Sequence, residues 1–189
     1  MIAYLNGEFK VKNPAYFIVE CNGVGYQVNI SLNTFSKLQT LDKGKIHTYL
    51  HIREDAQILY GFADESEKNL FISLISVQGV GTNMARMILS SMSPADLEEA
   101  IRTENDVLIQ RIKGVGPKTA KRLVIDLKDK IGKGAGATEN SFGFGHNTMK
   151  EEALSALAML GFTRQQGEKA IGSAMKLNPT PTNVESLIK

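Results

Sequence analysis

Residues Ile112–Val124 read IKGVGPKTAKRLV, and thirty-five positions earlier Val77–Leu89 read VQGVGTNMARMIL. Each copy has an apolar residue, a polar residue, Gly-Val-Gly, a short polar step and then apolar residues at helical spacing. Glycine between two helices permits backbone angles that a Cβ forbids. The turn leaves backbone N–H groups at the start of the following helix, and those amides with the positive end of the helix dipole form an anion site. In the second copy Lys118, Thr119, Lys121 and Arg122 follow at once. A grip on phosphate reads no bases, so such binding is independent of sequence. One Gly-x-Gly alone serves equally well as a plain αα turn. Two matched copies, one rich in Lys and Arg, favour a pair of phosphate cradles that fix orientation as well as affinity. The candidate residues are Gly79, Val80, Gly81, Thr82, Asn83 and Arg86 in the first copy, and Gly114, Val115, Gly116, Lys118, Thr119, Lys121 and Arg122 in the second.

The segment GVGPKTA is not a nucleotide-binding P-loop. That loop needs G-x-x-x-x-G-K-[ST] after a buried strand, whereas here the spacing is short and the helical stretch DVLIQRI precedes it. No ATP site or other cofactor is expected. His47 and His51 lack a third ligand at metal spacing and read as ordinary strand residues, so no metal is expected either. No Ser/His/Asp or Cys/His arrangement stands out.

Outward from the hairpins the chain divides by pattern. Residues 1–62 read as β: YFIVE and YQVNI flank Asn22-Gly23-Val24-Gly25, a hairpin signal. Later, Ile46, Thr48, Leu50 and Ile52, then Ala56, Ile58, Tyr60 and Phe62, alternate on either side of Arg53-Glu54-Asp55. About five short strands in a segment of this length suit a small closed barrel. Residues 63–131 read as α, with Leu70, Phe71, Leu74 and Ile75, then Met84, Ala85, Ile88 and Leu89, at helical period. Ser93-Pro94 reads as an N-cap and first helical residue, and Ala120, Leu123, Val124, Leu127 and Ile131 mark the inner face of the last helix. Residues 132–147, GKGAGATENSFGFGHN, carry no period and read as a flexible linker. In residues 148–189 three capping boxes, Thr148-x-x-Glu151, Thr163-x-x-Gln166 and Thr182-x-x-Glu185, each open a short helix. Leu154, Leu157, Ala158 and Leu160 are expected to line the first, Ala170, Ile171, Ala174 and Met175 the second, and Val184, Leu187 and Ile188 the third.

The whole is 42% hydrophobic and 22% charged, ordinary for a globular chain. The net charge is only +2, but between 111 and 130 Arg111, Lys113, Lys118, Lys121, Arg122, Lys128 and Lys130 face only Asp126 and Asp129, a local basic patch suited to phosphate. The N-terminus has no basic region followed by an apolar one, no apolar run suits a bilayer, and Cys21 is the single cysteine. These features lead us to expect a cytoplasmic protein without membrane contact.

Taken together, MIAYLNG at the N-terminus, GVGY at 23–26, REDAQILYGF at 53–62 and the two hairpins resemble the RuvA family of bacterial proteins that bind four-way (Holliday) DNA junctions. The resemblance spans all three segments in order. It implies an α+β multidomain fold: an N-terminal OB-fold barrel, a central all-α tandem helix-hairpin-helix domain and a C-terminal three-helix, UBA-like bundle. It also implies a homotetramer, one or two of which hold the junction open. The expected partners are junction DNA, the hexameric ATPase RuvB that drives branch migration, and the resolvase RuvC, in recombination, DNA repair and the SOS response to DNA damage. The chain itself would be non-catalytic, with the helicase complex's ATPase residing in RuvB. The bundle would dock on RuvB through Leu157, Leu160, Phe162, Ile171 and Met175. The family's acidic pin maps onto Glu54 and Asp55; repeated around a fourfold centre, these carboxylates would repel phosphates at the crossover. On the residues alone, Asp and Glu in a turn also serve turn geometry.

The sequence departs from the family in its first hairpin, where relatives commonly have Pro-Lys and this chain has Thr82-Asn83. Thr82 is expected to cap the helix and donate to a phosphate, and Arg86 to replace the missing lysine charge. Two other readings compete: a helix-hairpin-helix DNA glycosylase or lyase, and a general duplex binder. The first needs a catalytic Asp facing a base pocket; Asp126 instead falls inside a helix, placed to pair with Lys130 at i, i+4.

Overall fold

The computed structural model describes residues 1–134, 153–154, 156–157 and 160–177. It divides into two compact units, one ending at Glu139 and one beginning at Asn140. The first unit opens with five strands: β1 (Tyr4–Asn13), β2 (Tyr16–Cys21), β3 (Val24–Ile30), β4 (Lys43–Ile52) and β5 (Gln57–Phe62). They close into a barrel in the order β1-β2-β3-β5-β4. The β3–β5 pair is parallel and the others are antiparallel. The β2–β3 connection is the two-residue turn Asn22-Gly23, with φ of 51° and 82°, and positive φ at both positions matches the right-handed twist of the flanking strands.

Phe17, Val19, Val28 and Ile46 are fully enclosed in the barrel with Leu5, Phe9, Ile30 and Leu59. At Gly61 a Cβ would lie 2.4 Å from Val28 Cγ1 and 2.6 Å from Ile46 Cδ1, so this β5 position admits no side chain. Helix α1 (Leu32–Leu38) joins β3 to β4. The sequence reading did not anticipate it, because seven residues are too few to establish a period. Its visible signal was Ser31, whose hydroxyl accepts from the Thr34 N–H as the N-cap.

Five helices follow: α2 (Glu65–Ile75), α3 (Thr82–Ser91), α4 (Pro94–Arg102), α5 (Asp106–Gln110) and α6 (Pro117–Gly134). Ser93 caps α4 with Pro94 at its start, as its sequence suggests. The expected inner residues Ala85, Ile88, Leu89, Ala120, Leu123 and Leu127 are fully buried. This core does not stop at the barrel. Tyr60 and Phe62 belong to it, with ring centroids 5.2 Å and 4.9 Å from that of Phe71 in α2. Strand β5 is therefore buried on both faces, with Leu59 turned into the barrel and Tyr60 and Phe62 turned to the helices. The alternation of Ile58, Tyr60 and Phe62 is real, but the face it marks packs on α2 rather than filling the barrel.

A buried carboxylate ties the same junction. Glu67 of α2 is inaccessible to solvent and accepts hydrogen bonds from the Ser31 hydroxyl and, at 2.8 Å, from the Thr34 hydroxyl. Burial pushes its carboxyl above the ordinary range, against the opposing effect of those two donors.

In the second unit the described helix is α7 (Arg164–Leu177). Its capping box forms as its sequence suggests: Gln166 Oε1 accepts from the Thr163 N–H at 2.9 Å, and the Gln166 N–H donates to Thr163 Oγ1 at 3.4 Å. Ala153, Leu157 and Ile171 make a small core with Leu154, Ala174 and Met175 packed on it. Two expected core residues are not in it: Ala170 is exposed, and Leu160 is 67% exposed because the chain turns at Gly161, φ 95°. The capping boxes at Thr148 and Thr182, Ala158, and the third helix with Val184, Leu187 and Ile188 lie outside the described residues, as does the expected linker beyond Gly134. Among the described residues no helix is long and apolar enough to cross a membrane.

Candidate nucleic-acid interface

The two glycine hairpins are geometric copies. At an offset of thirty-five positions Gly79 and Gly114 have φ of 91° and 90°. Val80 N–H donates to Val77 O at 3.0 Å, and Val115 N–H donates to Ile112 O at 3.0 Å. Ala85 N–H reaches Gly81 O at 2.9 Å, and Ala120 N–H reaches Gly116 O at 2.9 Å. The valine is the hydrophobic peg of each turn: Val77 and Val80, like Ile112 and Val115, are buried at 2–6% exposure. Val80 and Val115 thus do not present side chains to a ligand, and their own N–H groups are consumed within the turn. What each hairpin offers outward is the next helical turn, whose first N–H groups have no partner within the helix.

Gly81, not Thr82, is the N-cap of α3, and no side chain caps that helix. The expected capping role of Thr82 is therefore corrected: Thr82 is the first residue of α3. It is held from the barrel side by Tyr60, whose hydroxyl donates to Thr82 Oγ1 at 2.9 Å. That leaves the threonine's own proton available for donation. Asn83 is exposed on the same turn.

Of the cations, Lys118 and Lys121 are exposed at the start of α6, and Thr119 is half-buried between them. Lys113, on the loop of the second hairpin, is exposed as well. It was counted in the basic patch but not singled out as a site residue; the signal that finds it is its alignment with Gln78 of the first copy. Neither Lys113, Lys118 nor Lys121 forms a salt bridge among the described residues. The two arginines behave differently. Arg86 donates from Nη1 to Ala15 O of the β1–β2 turn at 3.2 Å, linking α3 to the barrel. Arg122 donates from Nη1 to Gln78 O at 3.3 Å and Gln78 Oε1 at 3.0 Å, reaching from α6 to the loop of the first hairpin. Lys128, farther along α6, pairs with Glu104. The free positive charge thus gathers on the second hairpin.

Glu54 and Asp55 occupy the tip between β4 and β5, closed by the Arg53 N–H donating to Ala56 O at 2.8 Å. Both are exposed. Arg53 Nε lies 3.8 Å from Asp55 Oδ1, a solvated pair. His51 of β4 stacks on Tyr49 and meets Tyr60 edge-on, an ordinary strand environment. Asp126 is exposed on α6, which is not the enclosed setting a base-excising carboxylate needs.

In the second unit Leu160 and Phe162 are exposed at 67% and 51%, whereas Leu157 and Ile171 are core residues at 7% and 0%. Met175 packs partly against that core. Of the five residues expected to meet a partner, two stand at the surface, two support them from within, and Met175 lies between.

A closed five-stranded barrel whose last strand is shared with a tandem helix-hairpin-helix core defines a class of small multidomain proteins that present paired glycine hairpins. Family models place the chain within it: the RuvA N-terminal domain matches residues 1–61, a SAM-like helix-hairpin-helix tandem matches 71–129, and the RuvA C-terminal domain matches 148–189. Full-length relatives agree. The chain is 49% identical to the Holliday junction branch migration complex subunit RuvA of Christiangramia forsetii, with 100% of this chain and 97% of the relative covered. The proteins of the same name from Cytophaga hutchinsonii and Bacteroides fragilis are 45% and 47% identical over the same shares. The chain belongs to the RuvA family.

Proposed function

We propose that this chain is the junction-binding subunit of a branch-migration complex: a tetramer, singly or as a face-to-face pair, that grips four-way DNA through phosphates at both hairpins and holds the arms apart. The observation that carries this reading is the matched geometry of the hairpins, each turning through a glycine of φ near 90° into the start of a helix, with Lys113, Lys118 and Lys121 exposed on the second. One subunit per arm satisfies closed cyclic symmetry. Residues 1–62 and the helices ending with α6 at Gly134 form the DNA-binding body, and 148–189, tethered by the segment after α6, engages a RuvB-type ATPase through the exposed Leu160 and Phe162 beside Gly161. The chain contributes binding and positioning, and the ATP-driven step belongs to the motor. Glu54 and Asp55 act as the acidic pin, RuvC is a further partner, and the setting is the bacterial cytoplasm, in recombination and the repair response to DNA damage.

The test is fluorescence anisotropy with a labelled synthetic four-way junction, competed by linear duplex of the same arm sequence, alongside solution mass with and without junction. Strong preference for the junction and a mass of four or eight chains support the reading. Equal competition by linear duplex, or a monomer unchanged by junction DNA, overturns it.

A further inference from the structure

We infer that Arg122 is a positioning residue: it straps the second hairpin to the loop of the first, so that the two phosphate cradles are held at one fixed separation. This rests on the phosphate-cradle reading above. The internal repeat shows the strap to be specific. At an offset of thirty-five, Gln78 corresponds to Lys113 and Arg122 to Met87. The fork from Arg122 Nη1 to the carbonyl and side-chain oxygens of Gln78, at 3.3 Å and 3.0 Å, therefore has no counterpart across the pseudo-symmetric pair. Lys113 and Met87 are both exposed there; Met87 has no hydrogen to donate and the Lys113 side chain has no acceptor. The backbone frame of the two copies matches in the glycine angles, the peg valines Val80 and Val115 and the first helical hydrogen bonds.

The chemistry suits a strap better than a phosphate ligand. Arg122 is half-buried, one turn into α6, while Lys118 and Lys121 are exposed nearer its start. A guanidinium carries a planar array of donors, which lets one side chain reach two acceptors on a neighbouring loop. Gln78 sits between the peg Val77 and the left-handed Gly79. Holding its carbonyl fixes the plane of the peptide that leads into Gly79, and with it the direction of the amides that begin α3. Arg122 thus acts on DNA through the first hairpin, the copy that lacks lysines of its own. A ligand held at two points gains affinity from each only if their separation matches that of the phosphates it meets, and slack in the second point removes that gain.

The experiment measures junction affinity by anisotropy across a salt series for the full chain and for Gln78→Ala, Arg122→Ala, the double variant and Lys118→Ala. We expect Gln78→Ala, which changes no charge, to weaken junction binding about threefold and Arg122→Ala about tenfold, in the range of one or two solvent-accessible hydrogen bonds. Gln78→Ala should have no further effect once Arg122 is gone, and the salt slope of both single variants should equal that of the wild type. Lys118→Ala should lower the slope by about 0.9 per engaged subunit. If Arg122→Ala flattens the slope as Lys118→Ala does while Gln78→Ala is silent, Arg122 is a direct phosphate contact and the inference fails. Additive effects of the two changes also overturn it. Should Arg122→Ala melt below the assay temperature, Gln78→Ala decides alone, since its side chain is exposed; unchanged affinity there refutes the strap. A slope unaltered by Lys118→Ala removes the phosphate-cradle reading itself, and with it the inference.

Discussion

Replacing Lys118 and Lys121 together by Ala tests the interface most directly. Both ammonium groups are exposed at the start of α6, and neither is ion-paired among the described residues. Neither is committed to holding the fold, so the change should alter stability by less than about 0.5 kcal/mol. Each phosphate neutralised by a lysine releases about 0.9 counterion from duplex DNA. Two lost contacts should therefore lower the slope of log affinity against log salt by about 1.8 per engaged subunit. Between 50 and 200 mM salt, a fourfold change, the wild type should lose about twelve times more affinity than the variant for each such subunit. The assay is anisotropy with one labelled junction at five or more salt concentrations, with Lys37→Ala as control; Lys37 pairs with Asp64 at 2.5 Å on the barrel side and should leave the slope alone. Affinity lost equally at every salt concentration, with the slope intact, would refute the reasoning. It would mean that the lysines shape the hairpin without meeting phosphate.

Three further outcomes are expected. Glu54→Gln with Asp55→Asn should leave the melting temperature within a degree or two, because both side chains are exposed at a strand tip, and should lower the junction-to-duplex affinity ratio by relieving repulsion of continuous duplex; an unchanged ratio would return both residues to turn chemistry. Glu67 has its pKa raised in the folded chain, chiefly by burial, so folding is opposed as it ionises: its contribution is undisturbed below the ordinary carboxylate value of 4.5 and is lost as pH rises through the folded value. Glu67→Gln should accordingly show a constant stability difference from wild type below that pH and a growing relative gain above it, measured by urea unfolding; a difference that is flat with pH would refute the assignment. Gly114→Ala meets no atom within 4 Å of the new Cβ but inherits a φ of 90°, so thermal unfolding should show a cost of about 1–2 kcal/mol from backbone strain alone.

The elements with long periods or strong punctuation were legible in the sequence. Asn22-Gly23 named its turn, Ser93-Pro94 its helix start, Thr163 and Gln166 their box, and the doubled Gly-Val-Gly its hairpins. Each of these is local chemistry that the neighbouring chain does not alter. Helix α1 was missed because seven residues between two strands carry too little pattern, and what stabilises it, Glu67 receiving Ser31 and Thr34, comes from more than thirty residues away. The fates of the arginines were equally hidden. Arg86 and Arg122 look like their lysine neighbours in a charge count, yet Ala15 and Gln78 engage them across the fold. The burial of Val80 and Val115 shows the same limit: the motif identified the hairpin but not which of its atoms point outward. Leu160 was assigned to a helix interior by its spacing, and the turn at Gly161 leaves it at the surface.

Strand β5 has a consequence for how this chain can change over time. Its odd and even residues answer to different cores, Leu59 to the barrel and Tyr60 and Phe62 to the helices. A fragment cut after Phe62 would leave two aromatic rings in water, and a helical fragment begun at Ala63 would lose the surface against which Phe71 packs. Neither half is a portable module. Recombination between relatives that breaks the gene within this stretch should yield insoluble chimeras, whereas exchange beyond α6 should be tolerated. Heating should melt barrel and hairpins in one calorimetric transition, because neither can let go while the other holds. An inherited substitution at Tyr60 would be judged twice, once by the stability of this wall and once by the aim of Thr82.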